Sequence, residues 1–262
     1  MKYEFDGKKY RQASAHQKEW GARLIGELNI RGTERILDLG CGDGTLTAQL
    51  AELVPHGHVT GIDASAGMIE AARSHLAANL SFALKDINSL DYSDEFDIVF
   101  SNATLHWIKD HDTMLANVHR SLRVGGFARF NFAGDGNCLN FFQVLHEGME
   151  HPDFERRFHD FEWPWFMPSV EEYGALVRRS SFADARVWGE NADRYFPDEE
   201  AMIGWIDQPS LVPVLPHISE PHRQSFRSFV IERMIRLTRQ DDGRCFETFR
   251  RINLSARKHC VN

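Results

Sequence analysis

Ile36-Leu37-Asp38-Leu39-Gly40-Cys41-Gly42-Asp43-Gly44-Thr45-Leu46-Thr47, residues 36–47, reads as a buried strand that runs into a glycine-rich turn and then a helix. The apolar Ile36, Leu37 and Leu39 suit a parallel strand covered on both faces, and glycines at alternate positions end it abruptly. A glycine lets backbone N–H groups approach a ligand where a Cβ would collide, and the start of the following helix adds a positive dipole end. The stretch therefore predicts a nucleotide-type site. Its spacing argues against a dinucleotide, whose fingerprint is Gly-x-Gly-x-x-Gly/Ala; counting from Gly40 gives Gly42 and then Thr45 at the sixth place. Asp38 inside an apolar strand also needs a partner, which a ligand with a cationic amino-acid end would help supply.

Outward from this turn the chain alternates helix and strand. A helix from Asp43 to about Val54 and the breaker Pro55-His56-Gly57 lead to a strand, residues 58–63, ending at Asp63. Doubly wound folds use an acid there, about 20 residues past the glycine turn, to accept hydrogen bonds from ribose hydroxyls. Ser65 can cap the next helix itself, so Asp63 is not needed as the cap. A helix to Ala77, a strand over 80–85 leading to Asp86-Ile87, and a strand over 96–102 follow. The last delivers Asn102-Ala103-Thr104-Leu105-His106-Trp107, so Gly40, Asp63, Asp86 and Asn102 end four strands at one carboxyl edge, where open α/β sheets bind ligands. A helix from Met114 to Leu122, a turn at Val124-Gly125-Gly126 and a strand from Phe127 to Ala133 complete this part.

The expected organisation is an N-terminal flap and helix (1–30), a cofactor-binding core (31–136), helical insertions at 137–168 and 197–243, and a remaining core helix with closing strands at 169–196 and 244–262. The core helix opens on a capping box, Ser169 to Glu172; the strands are Ala185 to Phe196 and Phe246 to Lys258. The insertions are expected to form a lid over the strand ends. Phe142, Phe226 and Phe229 suit the lid's own core, while Trp163, Trp165 and Trp205 are candidates for a substrate wall with core packing as an even alternative.

Composition is ordinary for a soluble globular chain of 262 residues, with 42% hydrophobic and 26% charged residues. Residues 1–10 hold no apolar run, which predicts neither signal peptide nor anchor, and no stretch reaches membrane-spanning length. Four cysteines without paired spacing suit a reducing cytoplasm. The net charge of −8 argues against nucleic-acid binding. His217 to Lys258 nevertheless carries ten Lys/Arg against five Asp/Glu, a surplus that can meet an acidic partner or form a solvated helix face. The histidines show no His-x-x-x-His pattern with a carboxylate, so no metal is expected.

The string from Asp38 to Gly44 resembles the first motif of the class I S-adenosylmethionine-dependent methyltransferases, and Val59 to Ile69 resembles their second. With Phe100 to Trp107 and Glu200 to Ile206, the chain is similar to trans-aconitate methyltransferase and related small-molecule carboxyl methyltransferases. The resemblance implies a Rossmann-like, doubly wound, mostly parallel seven-stranded sheet with helical lid insertions, and S-adenosylmethionine as cofactor. It implies that Asp38, Gly40, Gly42 and Gly44 face the methionine end, and that Asp63 with Ala64 meets the ribose. Met68 would flank the adenine, or pack in the core, and Asp86 with Ile87 would lie beside the adenine ring. Asn102 and Ala103 would close another side, with Tyr10 and Gln17 reaching over from an N-terminal flap. Gln17 has a second reading, since Ser14-Ala15-His16-Gln17 has the form of a capping box.

His106 and Trp107 would shape the methyl-transfer region. His106 departs from the Gln that usually precedes the Trp, which leaves the acceptor open. A carboxylate, with a reference pKa of about 4, is ionised at neutral pH and needs no base. His106 can orient such an acceptor or act as the base for an amine, phenol or carbon nucleophile. One of Arg194, Arg223 or Arg233 could clamp a second carboxylate. Three readings are carried forward: a small-molecule carboxyl O-methyltransferase, a methyltransferase for a malonyl group on an acyl carrier protein, and a non-catalytic cofactor-binding protein. Either a monomer or a homodimer is expected.

Overall fold

The computed structural model describes residues 15–259. In chain order it contains α1 (Ala15–Gly26), β1 (Arg35–Leu39), α2 (Thr45–Leu53), β2 (His58–Asp63), α3 (Ala66–Ala72), β3 (Leu80–Leu84), β4 (Phe96–Asn102), α4 (His111–Ser121) and β5 (Leu122–Ala133). There follow α5 (Leu139–Glu150), α6 (Val170–Arg179), β6 (Ala183–Asn191), β7 (Arg194–Phe196), α7 (Glu199–Trp205), α8 (Glu220–Thr238), β8 (Cys245–Glu247) and β9 (Arg250–Arg257). The chain divides into two compact units. The first takes the described residues up to Asp135, then Trp165–Glu190 and the chain from Arg251 onward; the second takes Gly136–Pro164 and Asn191–Arg250.

The first unit holds the sheet, of seven strands in the order β3-β2-β1-β4-β5-β9-β6. Strands β1 to β5 pair in parallel and β9 runs antiparallel to β5, giving the Rossmann-like arrangement expected. In β1 the alternation decides which side each residue buries. Leu37 and Leu39 join Val99, Phe130, Phe132, Met114 and Tyr173 on one face. Ile36 joins Leu24, Leu50, Val59 and Phe100 on the other. Both faces being covered, the strand tolerates apolar residues at successive positions.

Two expected strands are each split in two. The stretch 185–196 forms β6 and then, after a break at Ala192-Asp193, β7; the stretch 246–258 breaks at Thr248-Phe249 into β8 and β9. Within the second unit β7 and β8 pair with each other in a separate two-stranded sheet. The breaks stabilise one another: Ala192 N donates to Phe249 O at 2.8 Å, and the Asp193 carboxylate accepts from Phe249 N at 3.0 Å and pairs with Arg250. Strand β5 also begins earlier than expected, at Leu122, with Val124-Gly125-Gly126 inside it. Gly125, at φ +80°, donates from its N–H to Lys258 O, which extends the pairing past the sequence's turn signal.

The rest of the second unit is built on aromatic side chains. Trp205, 3% exposed, lies against Phe141, Phe196 and Phe249 at ring distances of 5.6, 5.5 and 5.8 Å. Phe226 packs on Phe154 at 5.1 Å. Buried Glu247 accepts from the N–H groups of Asn140 and Phe141 and so satisfies the start of α5. On α8, Arg227 pairs with Asp207, Arg233 with Glu147 and Arg239 with Glu199.

Candidate active site

The turn after β1 is fixed from two sides. Gly40 N and Cys41 N both donate to Ile62 O, at 2.8 and 2.9 Å, and Gly42 N donates to the Asp63 carboxylate at 3.0 Å. Gly40, Gly42 and Gly44 have φ of +72°, +54° and +79°, the region that favours glycine. At Gly40 a Cβ would come 2.1 Å from the Thr104 side chain, whose hydroxyl donates to Gly40 O. At Gly42 a Cβ would meet nothing within 4 Å, so the backbone is open to a ligand.

Asp38, 2% exposed, accepts a hydrogen bond from Thr47 Oγ1 at 2.7 Å. Burial, with Asp63 nearby, raises its pKa to about 7 against the opposing effect of Thr47. Asp43 accepts from Thr45 N and pairs with Lys18 at 3.1 Å.

Asp63 Oδ1 accepts from Ser65 N at 2.9 Å, and Ser65 Oγ in turn accepts from Met68 N at 3.3 Å, so Ser65 caps α3. Ala64 follows Asp63 on the same edge, and Met68 is buried on α3. At the end of β3, Asp86 accepts from Asn88 N at 2.9 Å while Ile87 packs into the sheet's core.

The end of β4 gathers the largest share of strained and unsatisfied groups. Asn102 Nδ2 donates to Gln17 O at 2.9 Å, while Asn102 Oδ1 and Gln17 Oε1 are buried without a hydrogen-bond partner. Tyr10 and Ser14, expected in the flap and the capping box, lie outside the described residues. Ala103 has φ +55°, costly for a residue with a Cβ, and its N–H donates to Asn131 O at 2.7 Å. A short 3₁₀ turn, Leu105–Trp107, then presents His106. The ring of buried His111 secures that turn, with Nε2 at 3.0 Å from Leu105 O and Nδ1 at 3.2 Å from the Tyr173 hydroxyl.

His106 Nδ1 is buried with no partner. Burial first, then the nearby Arg251 guanidinium and His111, lower its pKa to about 3, so the ring is neutral at physiological pH. Trp107 lies 5.3 Å from the His106 ring and 5.6 Å from Trp165, which is 6% exposed. Phe166 N donates to His106 O at 2.8 Å, and Lys109 Nζ to Trp165 O at 3.2 Å.

Of the residues expected on the substrate side, Trp165 thus joins His106 and Trp107 in the first unit. Trp163, Arg194 and Trp205 belong to the second, where Trp163 stacks on His146 at 5.0 Å. Arg223 there pairs with Glu220 and donates to two main-chain carbonyls.

Sequence reasoning passed over Arg251. It stands opposite Ala133, the last residue of β5, and is only 4% exposed. Its Nε donates to Asn131 Oδ1 at 2.9 Å, one terminal nitrogen reaches Asn131 O at 3.4 Å, and the guanidinium lies 4.7 Å over the Trp20 ring. The signal that could have found it is topological. A closing strand antiparallel to β5 starts at the carboxyl edge, so its first residues face the site.

Comparison with known proteins agrees with this geometry. Residues 36–126, which hold the glycine turn and the ends of β2, β3 and β4, match the methyltransferase domain family. The chain is 27% identical over 239 residues to trans-aconitate 2-methyltransferase of Rhizobium etli, covering 90% of this chain and 91% of that protein. It is 28% identical over 262 residues to an uncharacterised methyltransferase of Schizosaccharomyces pombe, covering 97% and 98%. Among solved structures, the YcgJ protein from Bacillus subtilis matches with a TM-score of 0.61 at 19% identity, covering 93% of this chain and 99% of that one. Haemonchus contortus phosphoethanolamine N-methyltransferase 2, solved with S-adenosyl-L-methionine, also gives 0.61 at 19% identity, covering 97% of this chain and 57% of that one. With its glycine turn, its strand order and a methyltransferase domain over residues 36–126, the chain is a methyltransferase with a Rossmann-like fold.

Proposed function

We propose that this methyltransferase moves the methyl group of S-adenosylmethionine to an ionised carboxylate of a small molecule, forming a methyl ester. The chain's own residues fit that cofactor. Gly42 offers bare backbone, Asp38 is a buried carboxylate that a cationic amino-acid end would answer, and Gln17 Oε1 and Asn102 Oδ1 are buried acceptors that a donor-bearing ligand would satisfy.

In this reading Asp38, Gly40, Gly42 and Gly44 would hold the methionine end. Asp63, Ala64 and Met68 would hold the ribose and one side of the adenine, with Asp86 and Ile87 at its other side. Gln17, Asn102 and Ala103 would close over the cofactor. When bound, S-adenosylmethionine supplies an electrophilic methyl group on a sulfonium, open to in-line displacement.

The observation that carries the carboxylate reading is the neutral His106. An amine or phenol acceptor must lose a proton, and an imidazole held at a pKa of about 3 is a poor base at neutral pH. A carboxylate arrives ionised, so the ring has only to orient it, by donating from Nδ1 to one carboxylate oxygen in the Nδ1–H tautomer. Trp107 and Trp165 would exclude water around the nucleophile. The likeness to trans-aconitate 2-methyltransferase supports a free di- or tricarboxylic acid as acceptor. The pairing of Arg227, Arg233 and Arg239 with carboxylates of their own unit speaks against the acidic carrier-protein alternative.

The test is incubation with methyl-labelled S-adenosylmethionine and trans-aconitate. Label released as methanol by mild base is the expected result; base-stable label contradicts the ester.

A further inference from the structure

His106 and His111 both follow β4, and the fold treats them oppositely. His106 keeps a buried Nδ1 with no hydrogen-bond partner, whereas both ring nitrogens of His111, 1% exposed at the start of α4, are engaged. A carbonyl oxygen can only accept, so the His111 proton facing Leu105 O sits on Nε2. Burial lowers the pKa of this ring to about 4, against the carbonyls of Leu105 and Ile108, so at physiological pH the ring is neutral and Nδ1 is bare. The Tyr173 hydroxyl, fully buried on α6, is then the donor to Nδ1. A directed chain results, from Tyr173 O–H through the imidazole to Leu105 O.

That chain ends on one of the two peptide groups that fix His106. The peptide before its Cα is held by Leu105 O, which accepts from His111 Nε2 at 3.0 Å and from Ile108 N at 3.0 Å. The peptide after it is held by His106 O, which accepts from Phe166 N at 2.8 Å, and by Trp107 N, which donates to Thr104 O at 2.9 Å. Of these bonds, the one from His111 comes from a side chain and the others from the main chain. The same ring supports the second peptide as well, since the Phe166 ring packs on it at 4.6 Å, with Tyr173 and Phe132 at 5.4 and 5.6 Å.

We propose that His111, with its tautomer set by Tyr173, positions His106 for methyl transfer. This deepens the reading of His106 above and rests on it. A hydrogen bond to the acceptor helps only when it aims the attacking oxygen along the line of displacement, and a misplacement of about 1 Å costs on the order of a hundredfold in rate. The 3₁₀ turn that carries His106 is three residues long, and the poorer hydrogen-bond geometry of such turns gives it little stiffness of its own. The His111 imidazole supplies that stiffness by holding the peptides on both sides of His106. Tyr173 contributes direction: with its O–H on Nδ1 the ring keeps its proton on Nε2, whereas the other tautomer would set a bare nitrogen against a carbonyl oxygen.

The experiment is a double-mutant cycle on methyl transfer to trans-aconitate, with His111→Leu, His111→Gln, Tyr173→Phe and His106→Ala each assayed well below its melting temperature. His111→Leu is expected to lower kcat about 30-fold, with KM and cofactor affinity changed less than about threefold. His111→Gln, whose amide N–H can reach Leu105 O, is expected to keep kcat within about fivefold of the wild type. Tyr173→Phe keeps the ring volume, should lower kcat about fivefold, and serves as the reading if the Leu variant does not fold. In the His106→Ala background His111→Leu should lower kcat less than about twofold while still lowering the melting temperature, because the group it positions is gone.

Equal losses of kcat with and without His106 would overturn the proposal by making His111 a packing residue, and so would a Gln variant as impaired as the Leu variant. Nitrogen-15 spectra of the histidine rings at pH 7 give a reading that needs no acceptor: a proton on His111 Nε2 is expected, and one on Nδ1 overturns the assignment. An unchanged kcat in His106→Ala overturns the reading of His106 and this proposal with it, whereas failure of the proposal alone leaves His106→Ala impaired. A wild type that forms no ester overturns the carboxylate reading before any substitution is made. The His106 ring signals then carry the test: they are expected to shift in His111→Leu and Tyr173→Phe, and unmoved signals overturn the proposal.

Discussion

Asp38 is buried and His106 half-buried with its Nδ1 sealed, and desolvation drives each towards its neutral form: the carboxyl group rises to about 7 and the imidazole falls to about 3. The consequences differ. His106 is neutral across the physiological range, whereas Asp38 sits at its edge. If Asp38 holds the methionine end as proposed, a cofactor carrying an ammonium and a sulfonium favours its ionised form, so binding lowers its pKa and expels a proton where it was protonated. The sign follows: affinity for S-adenosylmethionine is full above pH 7 and weakens as pH falls through 7 towards 6, approaching tenfold per unit at most. The other charged groups at this turn are Asp63, Asp43 and the Lys18 partner of Asp43. Calorimetry at pH 6 and 8 in buffers of different ionisation heat checks this; equal affinities and no proton release would refute it. The burial of Asp38 within β1 was legible because a charge interrupts an apolar strand. Arg251 was not, because its burial depends on β9 lying beside β5, a pairing between residues more than a hundred positions apart.

At the level of elements, local signals were reliable where the chemistry is local. The capping box expected at Ser169 is present, with Glu172 N on Ser169 Oγ at 3.1 Å and Ser169 N on the Glu172 carboxylate at 2.8 Å. Ser169→Ala should therefore cost about 1 kcal/mol, seen as a melting temperature lower by roughly 2–4 °C, with methyl transfer unaffected. A change below about 0.3 kcal/mol would mean that the cap is dispensable. Strands failed as sequence units where tertiary contacts cut them. The β-type pattern runs through Ala192-Asp193 and through Thr248-Phe249, and nothing in either stretch announces a break; the reason lies in the bonds each makes to the other. The early start of β5 has the same origin, since Gly125-Gly126 has the look of a turn until Lys258 supplies its partners.

For the molecule as a whole, the sheet and the strand ends that share its carboxyl edge could be read from the sequence because the alternation of strand and helix over residues 36–133 leaves few topologies open. The partition into two units could not, since it follows from where β7 and β8 find each other. What the fold brings together at the edge is the glycine turn proposed to hold the methyl donor and a histidine too acidic, as its conjugate acid, to be a base. If the acceptor arrives ionised and the protein only orients it, no group titrates during turnover near neutrality. The most direct measurement is kcat for trans-aconitate between pH 6 and 9, with cofactor and acceptor both saturating so that Asp38 stays ionised. A profile flat to within about twofold is the expected result. A unit-slope rise to a plateau, with an apparent pKa of about 6.5 to 8, would reveal a general base and contradict orientation by a neutral His106.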